Sequence, residues 1–538
     1  MGEGLYDLPE GWVWTTVGNV SQVKGGKRLP KGYEYAENHT KYPYIRVIDF
    51  GNYTVHLSNL KFIELENHEK IANYTISHQD LYISIAGSIG KVGFIPAYLS
   101  GANLTENAAK ITNICNLSKK FICYLLSSNF VQEQIKFLTI STNQPKLALF
   151  RIKKINIPLP PLNEQHRIVA KIEELFSKLD AGIELLNKLK TKLKRYRQAV
   201  LKAAVEGNLT KEWREAHQGE LEPASDLLKR ILKQRREKWE ADELAKMEAK
   251  GKTPKNDKWK QKYKEPVAPD TSDLPELPDG WCWVSAEKIN DASRNITYGV
   301  IKLGQHIENG VPTLRSSNVR YLKLDLKGIK RISPIISNKY NRTILNGEEV
   351  LVTIRGTLGG VISVPQKCQG YNISREIGLI VPSRSIYSEC YAIMIGSSVV
   401  QNWLSRHTKG IAYTGINLET LNQMPVPLFS TTEQKEIVVE IEEKFSIIDH
   451  LEKTIETNLK RSEKLRQSIL KQAFTGQLVP QDPKDEPASK LLERIKAEKA
   501  QREAKQKAKK KTRKTTKKRQ KTSKTKQLEL DIKNNDLG

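Results

Sequence analysis

The chain has 538 residues, 38% of them hydrophobic, 7% aromatic and 28% charged, with a formal net charge of +27 at pH 7. It contains no apolar run long enough for a membrane span, its start lacks the basic-then-apolar order of a signal peptide, and Tyr6 breaks the myristoylation pattern. The five scattered cysteines form no C-x-x-C pair, which argues against a disulfide or zinc framework and for a reducing, cytoplasmic setting.

The charge is partly local. Thirteen Lys or Arg and no acid lie between Lys505 and Lys526, leaving +14 on the rest of the chain. A basic body with a basic tail predicts a polyanionic partner, most simply nucleic acid. The tail, 505–538, is expected to be disordered, because its like charges repel and it offers nothing for a core.

The sequence is written twice. LPEGWVW at Leu8 returns as LPDGWCW at Leu277, GSIGKVGFIP at Gly87 as GTLGGVISVP at Gly356, and NEQ at Asn163 as TEQ at Thr432. GANL at Gly101 returns as GYNI at Gly370, and EGNL at Glu206 as TGQL at Thr475; every pair is 269 positions apart. Such a constant offset implies two copies of one unit. EPASDLLKRI at Glu222 and EPASKLLERI at Glu486 are offset by 264, so the copies differ in spacing after the helix.

In chain order, residues 1–161 read as a mixed α and β half, with strands in YPYIRVIDF, DLYISIAGS and GKVGFIP and a helix in KFICYLLSS. Gly87 and Gly90 sit where a tight turn needs positive φ. Pro158, Pro160 and Pro161 hold the chain extended, and a helix over 162–209 follows, with Asn163 as its cap and Gly207 as its stop. Ile168, Ile172, Leu175, Leu179, Gly182, Leu186, Leu189, Leu193, Tyr196 and Val200 form its heptad seam. A charged helical linker, 210–270, leads to a second half, 271–430, with strands in EVLVTIRGT and GGVISVP and helical CYAIMIGSSVVQNWL. A second long helix spans 431–478, capped by Thr432 and closed by Gly476, with a seam through Ile437, Ile441, Lys444, Ile448, Leu451, Ile455, Asn458, Ser462, Leu465 and Ile469 that is leakier because Asn458 and Ser462 are polar intrusions. A helical extension, 479–504, precedes the tail. Each long helix counts about 37 residues, roughly 55 Å. Two seams of equal length most simply zip together, but their parallel or antiparallel sense stays open.

No motif for chemistry emerges. The only double proline, Pro160-Pro161, is followed by Leu162, unlike an amino-methyltransferase loop, and GSIGKV fails the phosphate-loop pattern. Glu442-Glu443-Lys444 lies on a helix seam, and the histidines show no metal spacing. Basic and polar loop residues instead recur in both halves: Lys24, Lys27, Arg28, Arg46, Ser88 and Lys91 in the first, and Arg294, Lys302, Arg315, Ser316, Asn318, Arg320, Arg355 and Thr357 in the second. These are the residue types that phosphates and base edges call for, and they are the candidate DNA-binding set.

IPLPPLNEQHRIVAKIEELFSKLD and GKRLPKGYEYAENHTKYPYIRVIDF resemble type I restriction–modification specificity subunits, as do NITYGVIKLGQHIENGVPTLRSSNV and YTGINLETLNQMPVPL in the second copy. The resemblance runs from about Leu8 to Leu478. It implies an α+β fold: two mixed α/β target recognition domains in pseudo-twofold arrangement, separated by two long antiparallel coiled-coil helices. It further implies a subunit that is not itself an enzyme, with each domain reading one half of a split site in double-stranded DNA. The helices then act as ruler and as docking surface for two methyltransferase subunits. The expected complex carries adenine-N6 methyltransferase and ATP-dependent endonuclease activities. No cofactor is expected on this chain. S-adenosylmethionine belongs to the methyltransferase subunits, and ATP and Mg to two restriction subunits. The rival readings are a nuclease or methyltransferase with a cryptic motif and a coiled-coil protein that binds DNA without sequence preference.

Overall fold

The structure, a computed structural model, describes residues 5–139, 145–254, 256–408 and 415–505; the basic tail from 506 onward lies outside the described residues. The chain divides into two units, one of residues 1–185 with 457–538 and the other of residues 186–456.

Both units are built on the same plan. In the first, a four-stranded antiparallel sheet has the order Gln22–Gly25, Ala108–Thr112, Leu81–Ser84, Val92–Phe94. In the second, the order is Thr297–Tyr298, Ile377–Ile380, Val350–Thr353, Val361–Ser363, again antiparallel throughout. Beside each lies a three-stranded sheet with one parallel pairing: Lys61–Phe62, Pro43–Ile45, Asn103–Leu104 in one unit and Lys330–Ile332, Val311–Leu314, Asn372–Ile373 in the other. These strands occupy parts of the expected segments, and YPYIRVIDF is interrupted after Ile45 by a short 3-10 turn, Val47–Asp49. The long apolar run of the second half is broken into two helices, Ser388–Gly396 and Ser398–Arg406, because Ser397 caps the second by accepting from Val400 N.

Leu81, Ile83, Ile111 and Phe121 of the first unit, and Val350, Val352, Ile380 and Ile395 of the second, are buried in the two main cores. Each such side chain contributes about 1.5–3 kcal/mol.

The long helices run Leu162–Val205 and Thr431–Phe474, 44 residues each. That is about 66 Å at 1.5 Å per residue, longer than the sequence predicts. The caps also lie earlier than expected. Asn163 is inside its helix and donates to Asp485, while Ser430, one residue before the second helix, accepts from Glu433 N. The first helix instead follows directly on Pro161, whose carbonyl accepts from Gln165 N.

The repeated Glu-Gln pair has a mechanical reason. Trp12 Nε1 donates to Glu164 and Trp281 Nε1 to Glu433, both at 2.9 Å. Gln165 accepts from Ser118 N and donates to Pro160 O; Gln434 does the same with Tyr387 N and Phe429 O. Each helix start is thereby stapled to the globular part beside it.

Within the first unit, Arg466 of the second helix pairs with Asp180 and lies over the Phe176 ring, 4.3 Å from its centroid. Ile168 and Ile172 share a core with Ile469 and Phe474. Within the second unit, Lys190 pairs with Glu456 and Arg197 with Asp449. Seven residues forward on one helix are seven residues back on the other, so the two segments run in opposite directions there. Gly182, Leu189 and Tyr196 of the expected seam are exposed, as is Leu451.

Gly207 and Gly476, which end the helices, have φ of 69° and 75°. A Cβ on Gly476 would stand 2.3 Å from Pro9 Cγ. We expect Gly476→Ala to cost about 2 kcal/mol, from left-handed strain plus overlap. Amide exchange that quickens at the end of the second long helix checks this; unchanged protection contradicts it. The extensions after the helices dock alike. Ala224, Leu227 and Ile231 of the helix Ala224–Glu248 enter the second unit's core, and Ala488, Leu491 and Ile495 of the helix over 488–505 enter the first's.

Candidate nucleic-acid interface

In each unit one short segment gathers the loops. In the first unit it is 104–107. Lys27 N donates to Leu104 O, Thr105 N to Ile45 O, and Ile85 N to Asn107 O. The backbone at Gly26 passes so close that a Cβ there would meet Thr105 O at 2.1 Å, which is why glycine stands at this point. Lys27 and Arg28, the turn holding Arg46 and the 85–91 hairpin with Ser88 therefore border one hub.

In the second unit the hub is 373–376. Val300 N donates to Ile373 O, Ser374 N to Leu314 O, and Ile354 N to Glu376 O. Gly299 approaches Ile373 O as Gly26 approaches Thr105 O. Lys302, the turn of Arg315 and Ser316, and the Arg355–Thr357 hairpin share this end of the sheet. Gly87, Gly90, Gly356 and Gly359 all have φ between 73° and 91°, so both hairpins turn as expected.

The candidate residues separate by what they hold. Lys24, Lys27, Arg28, Ser88 and Lys91 are exposed, as are Lys302, Arg320, Arg355 and Thr357. Lys27 Nζ lies 5.9 Å from the Tyr74 ring centre, Arg28 pairs with Glu106 at 2.9 Å, and Lys91 Nζ donates to Phe50 O. Lys24 stands in register with Lys110. Burial holds Lys110 below the ordinary lysine range; Asp80 pulls the other way and Lys24 adds repulsion.

Other candidates are spent inside the fold. Arg46 bonds Asp49, itself 2% exposed, and the carbonyl of Asn59. Asn318 accepts from Arg315 N and donates to Asp325 O, and Ser316 donates through both N and Oγ to Glu376. Arg294 pairs at 2.7 Å with Glu349, which is 1% exposed, and donates to the carbonyls of Arg342 and Ile344. Glu349 precedes the strand Val350–Thr353, whereas the hub contacts follow it, so Arg294 sits at the opposite end of the sheet. The structure does not bring Arg294 to the other candidates. Arg320 stands on a separate two-stranded ribbon, opposite Lys323.

The hubs share a scaffold and differ in chemistry. Arg46 and Arg315 occupy matching turns, but the Arg46 guanidinium pairs with the Asp49 carboxylate, whereas Arg315 reaches the Asn318 amide oxygen only through its backbone N–H. Arg315 Nε has no hydrogen-bond partner among the described residues. Glu106, which holds Arg28, is matched by exposed Arg375 in the second hub. Sequence reasoning missed Arg375, although the 269-residue offset between TENA and SREI pairs it with Glu106. Among the described residues Arg355 and Arg375 make no ion pair, and no group of three His, Cys, Asp or Glu is placed to hold a metal. No described helix is long and apolar enough to cross a membrane.

Each unit thus presents cationic loops on a rigid sheet, the arrangement of a nucleic-acid-binding module. The model of the type I restriction modification DNA specificity domain matches residues 9–195 and again residues 236–466. The chain belongs to this family and carries its DNA specificity domain twice. It is 27% identical over 509 residues to the type I restriction enzyme EcoBI specificity subunit of Escherichia coli, covering 92% of this chain and 94% of that protein. It is equally identical over 517 residues to the EcoKI specificity subunit of Escherichia coli strain K12, covering 92% and 96%. A solved chain, described under complex assembly and conformational transition of the type I R-M system, aligns with a TM-score of 0.61 at 17% identity. That alignment covers 88% of this chain and 100% of the other, and it speaks for the fold.

Proposed function

We propose that this chain is the non-catalytic, DNA-reading subunit of a type I restriction–modification complex, each unit's hub reading one half of a split site. The observation that carries this reading is one scaffold built twice with different side chains at matching positions: Glu106 against Arg375 and Asp49 against Asn318. Identical scaffolds with divergent hydrogen-bonding groups suit two different short sequences. The proposed contact set is Lys27, Arg28, Ser88 and Lys91 in one hub, and Lys302, Arg315, Arg355, Thr357 and Arg375 in the other. Arg294 is left out, because its guanidinium is committed to Glu349.

The long helices, paired antiparallel as a coiled coil about a pseudo-twofold axis, then set the unread spacer. Tethering makes the second half-site contact intramolecular, so two weak contacts give one tight site. Leu189, Tyr196, Ile447 and Leu451 on the second unit's helices are apolar side chains left 40%, 51%, 62% and 42% exposed. Such exposed apolar positions suit docking of methyltransferase subunits. S-adenosylmethionine, ATP and Mg belong in this scheme to the methyltransferase and restriction partners, two of each.

Inserting four residues near the middle of one long helix lengthens it by about 6 Å. Selection of binding sites from randomised DNA should then return the same half-sites with a spacer about two base pairs different. An unchanged spacer sinks the ruler.

A further inference from the structure

The two long helices start alike, but the carboxylates in their first turns are served differently. In the second unit, Glu433 Oε2 accepts from Trp281, and Oε1 accepts from Thr210 Oγ1 at 2.8 Å and Arg214 Nη1 at 2.7 Å. The Arg214 guanidinium carbon lies 5.6 Å from the Trp281 ring centre. In the first unit, Glu164 Oε2 accepts from Trp12, and Oε1, though buried, has no hydrogen-bond partner among the described residues. Glu164 is 2% exposed and lines a cavity of about 470 Å³ together with Gly11, Trp12, Asp482, Asp485 and Pro487.

The sequence explains the difference. After the first long helix the chain runs through Thr210 and Arg214 before reaching Glu222-Pro223. After the second, the equivalent stretch is five residues shorter, has Val479 where Thr210 stands, and contains no arginine. The nearby Arg167 is taken by Asp485 at 2.8 Å. Burial pushes the Glu164 carboxyl above its ordinary range, against the lowering effect of the Trp12 hydrogen bond. A buried carboxylate oxygen without a donor is costly, and the same chain shows what satisfies it.

We propose that the Glu164 cavity is a socket for a guanidinium group, supplied by an arginine of a partner polypeptide. The group would lie against Trp12 and donate to Glu164 Oε1, as Arg214 does with Trp281 and Glu433. Asp482 adds negative charge around it, while Asp485 is already paired with Arg167. A planar cation matches this combination of carboxylate and indole face better than an ammonium. The inference does not rest on the DNA-reading assignment.

The test follows the indole N–H resonances of Trp12 and Trp281 in the full chain while N-acetyl-arginine amide is added, with the uncharged citrulline analogue as control. The Trp12 signal should move in a saturable way with the arginine probe only, and the movement should disappear in Glu164→Gln, which keeps an acceptor for Trp12. Trp281 should stay still until Arg214→Ala removes its own guanidinium, and then respond. No saturable response at Trp12, or an equal response to citrulline, overturns the socket. If Arg513→Gln with Arg519→Gln alone moves the Trp12 signal, the chain's own tail supplies the arginine and the partner assignment falls.

Discussion

Glu433→Gln should destabilise the start of the second long helix by about 3 kcal/mol, while Glu164→Gln should leave the first within about 1 kcal/mol of its present stability. The two glutamates hold matching positions and matching tryptophans. Glu433, 1% exposed, meets three donors: the Trp281 indole, the Thr210 hydroxyl and the Arg214 guanidinium. An amide there has to turn its own N–H₂ toward one of them and removes the charge opposite Arg214, which is only 17% exposed. At Glu164 the amide oxygen can keep Trp12 while the N–H₂ replaces an oxygen without a donor. Hydrogen exchange of amides 431–438 and 162–169 reads the contrast: about a hundredfold loss of protection in the first set and little change in the second. Equal losses contradict it. The pH dependence has a definite sign. Burial raises the Glu164 carboxyl, so the folded state favours its protonated form. Its contribution is full at acidic pH and is lost as pH rises through the raised folded-state value, a dependence that Glu164→Gln should abolish.

Arg355→Ala and Arg375→Ala should each weaken specific DNA binding by roughly tenfold to a hundredfold, in line with about 1–3 kcal/mol for a bidentate base contact. Both residues belong to the second hub, so sequence preference should relax in one half of the motif and stay sharp in the other. Selection from randomised DNA measures both effects. Arg294→Met is the control. It leaves the buried Glu349 carboxylate with only the backbone N–H donors of Asn346 and Gly347 and should lower stability by about 3 kcal/mol, yet leave the preferred sequence intact in the folded fraction. Uniform weakening across all sequences in the Arg355 and Arg375 variants would make these residues phosphate contacts instead.

The duplication was legible because glycine, proline and tryptophan mark geometry that no other residue reproduces. Gly87 and Gly356 turn their hairpins, and Trp12 and Trp281 lock their glutamates. The antiparallel sense within each unit was not legible, because a heptad seam reads the same in either direction. The caps were misplaced by a residue or two because proline can start a helix without a polar side chain, as Pro161 does. Among the proposed contact residues, chain-local clustering singled out Lys27, Arg28 and Arg355. It could not see that Glu349, 55 positions away, consumes Arg294, because that pairing arises only when strands align. It also missed Arg375, which lies outside any basic cluster and is held in the hub by its own N–H donating to Val300 O.

Methylated adenines mapped across the genome, in cells with and without this chain, test the central claim most directly. The account predicts a motif of two short specific parts around an unread gap, present only when the chain is present. A methylation pattern that is unchanged by its loss, or a single unbroken motif, would contradict it.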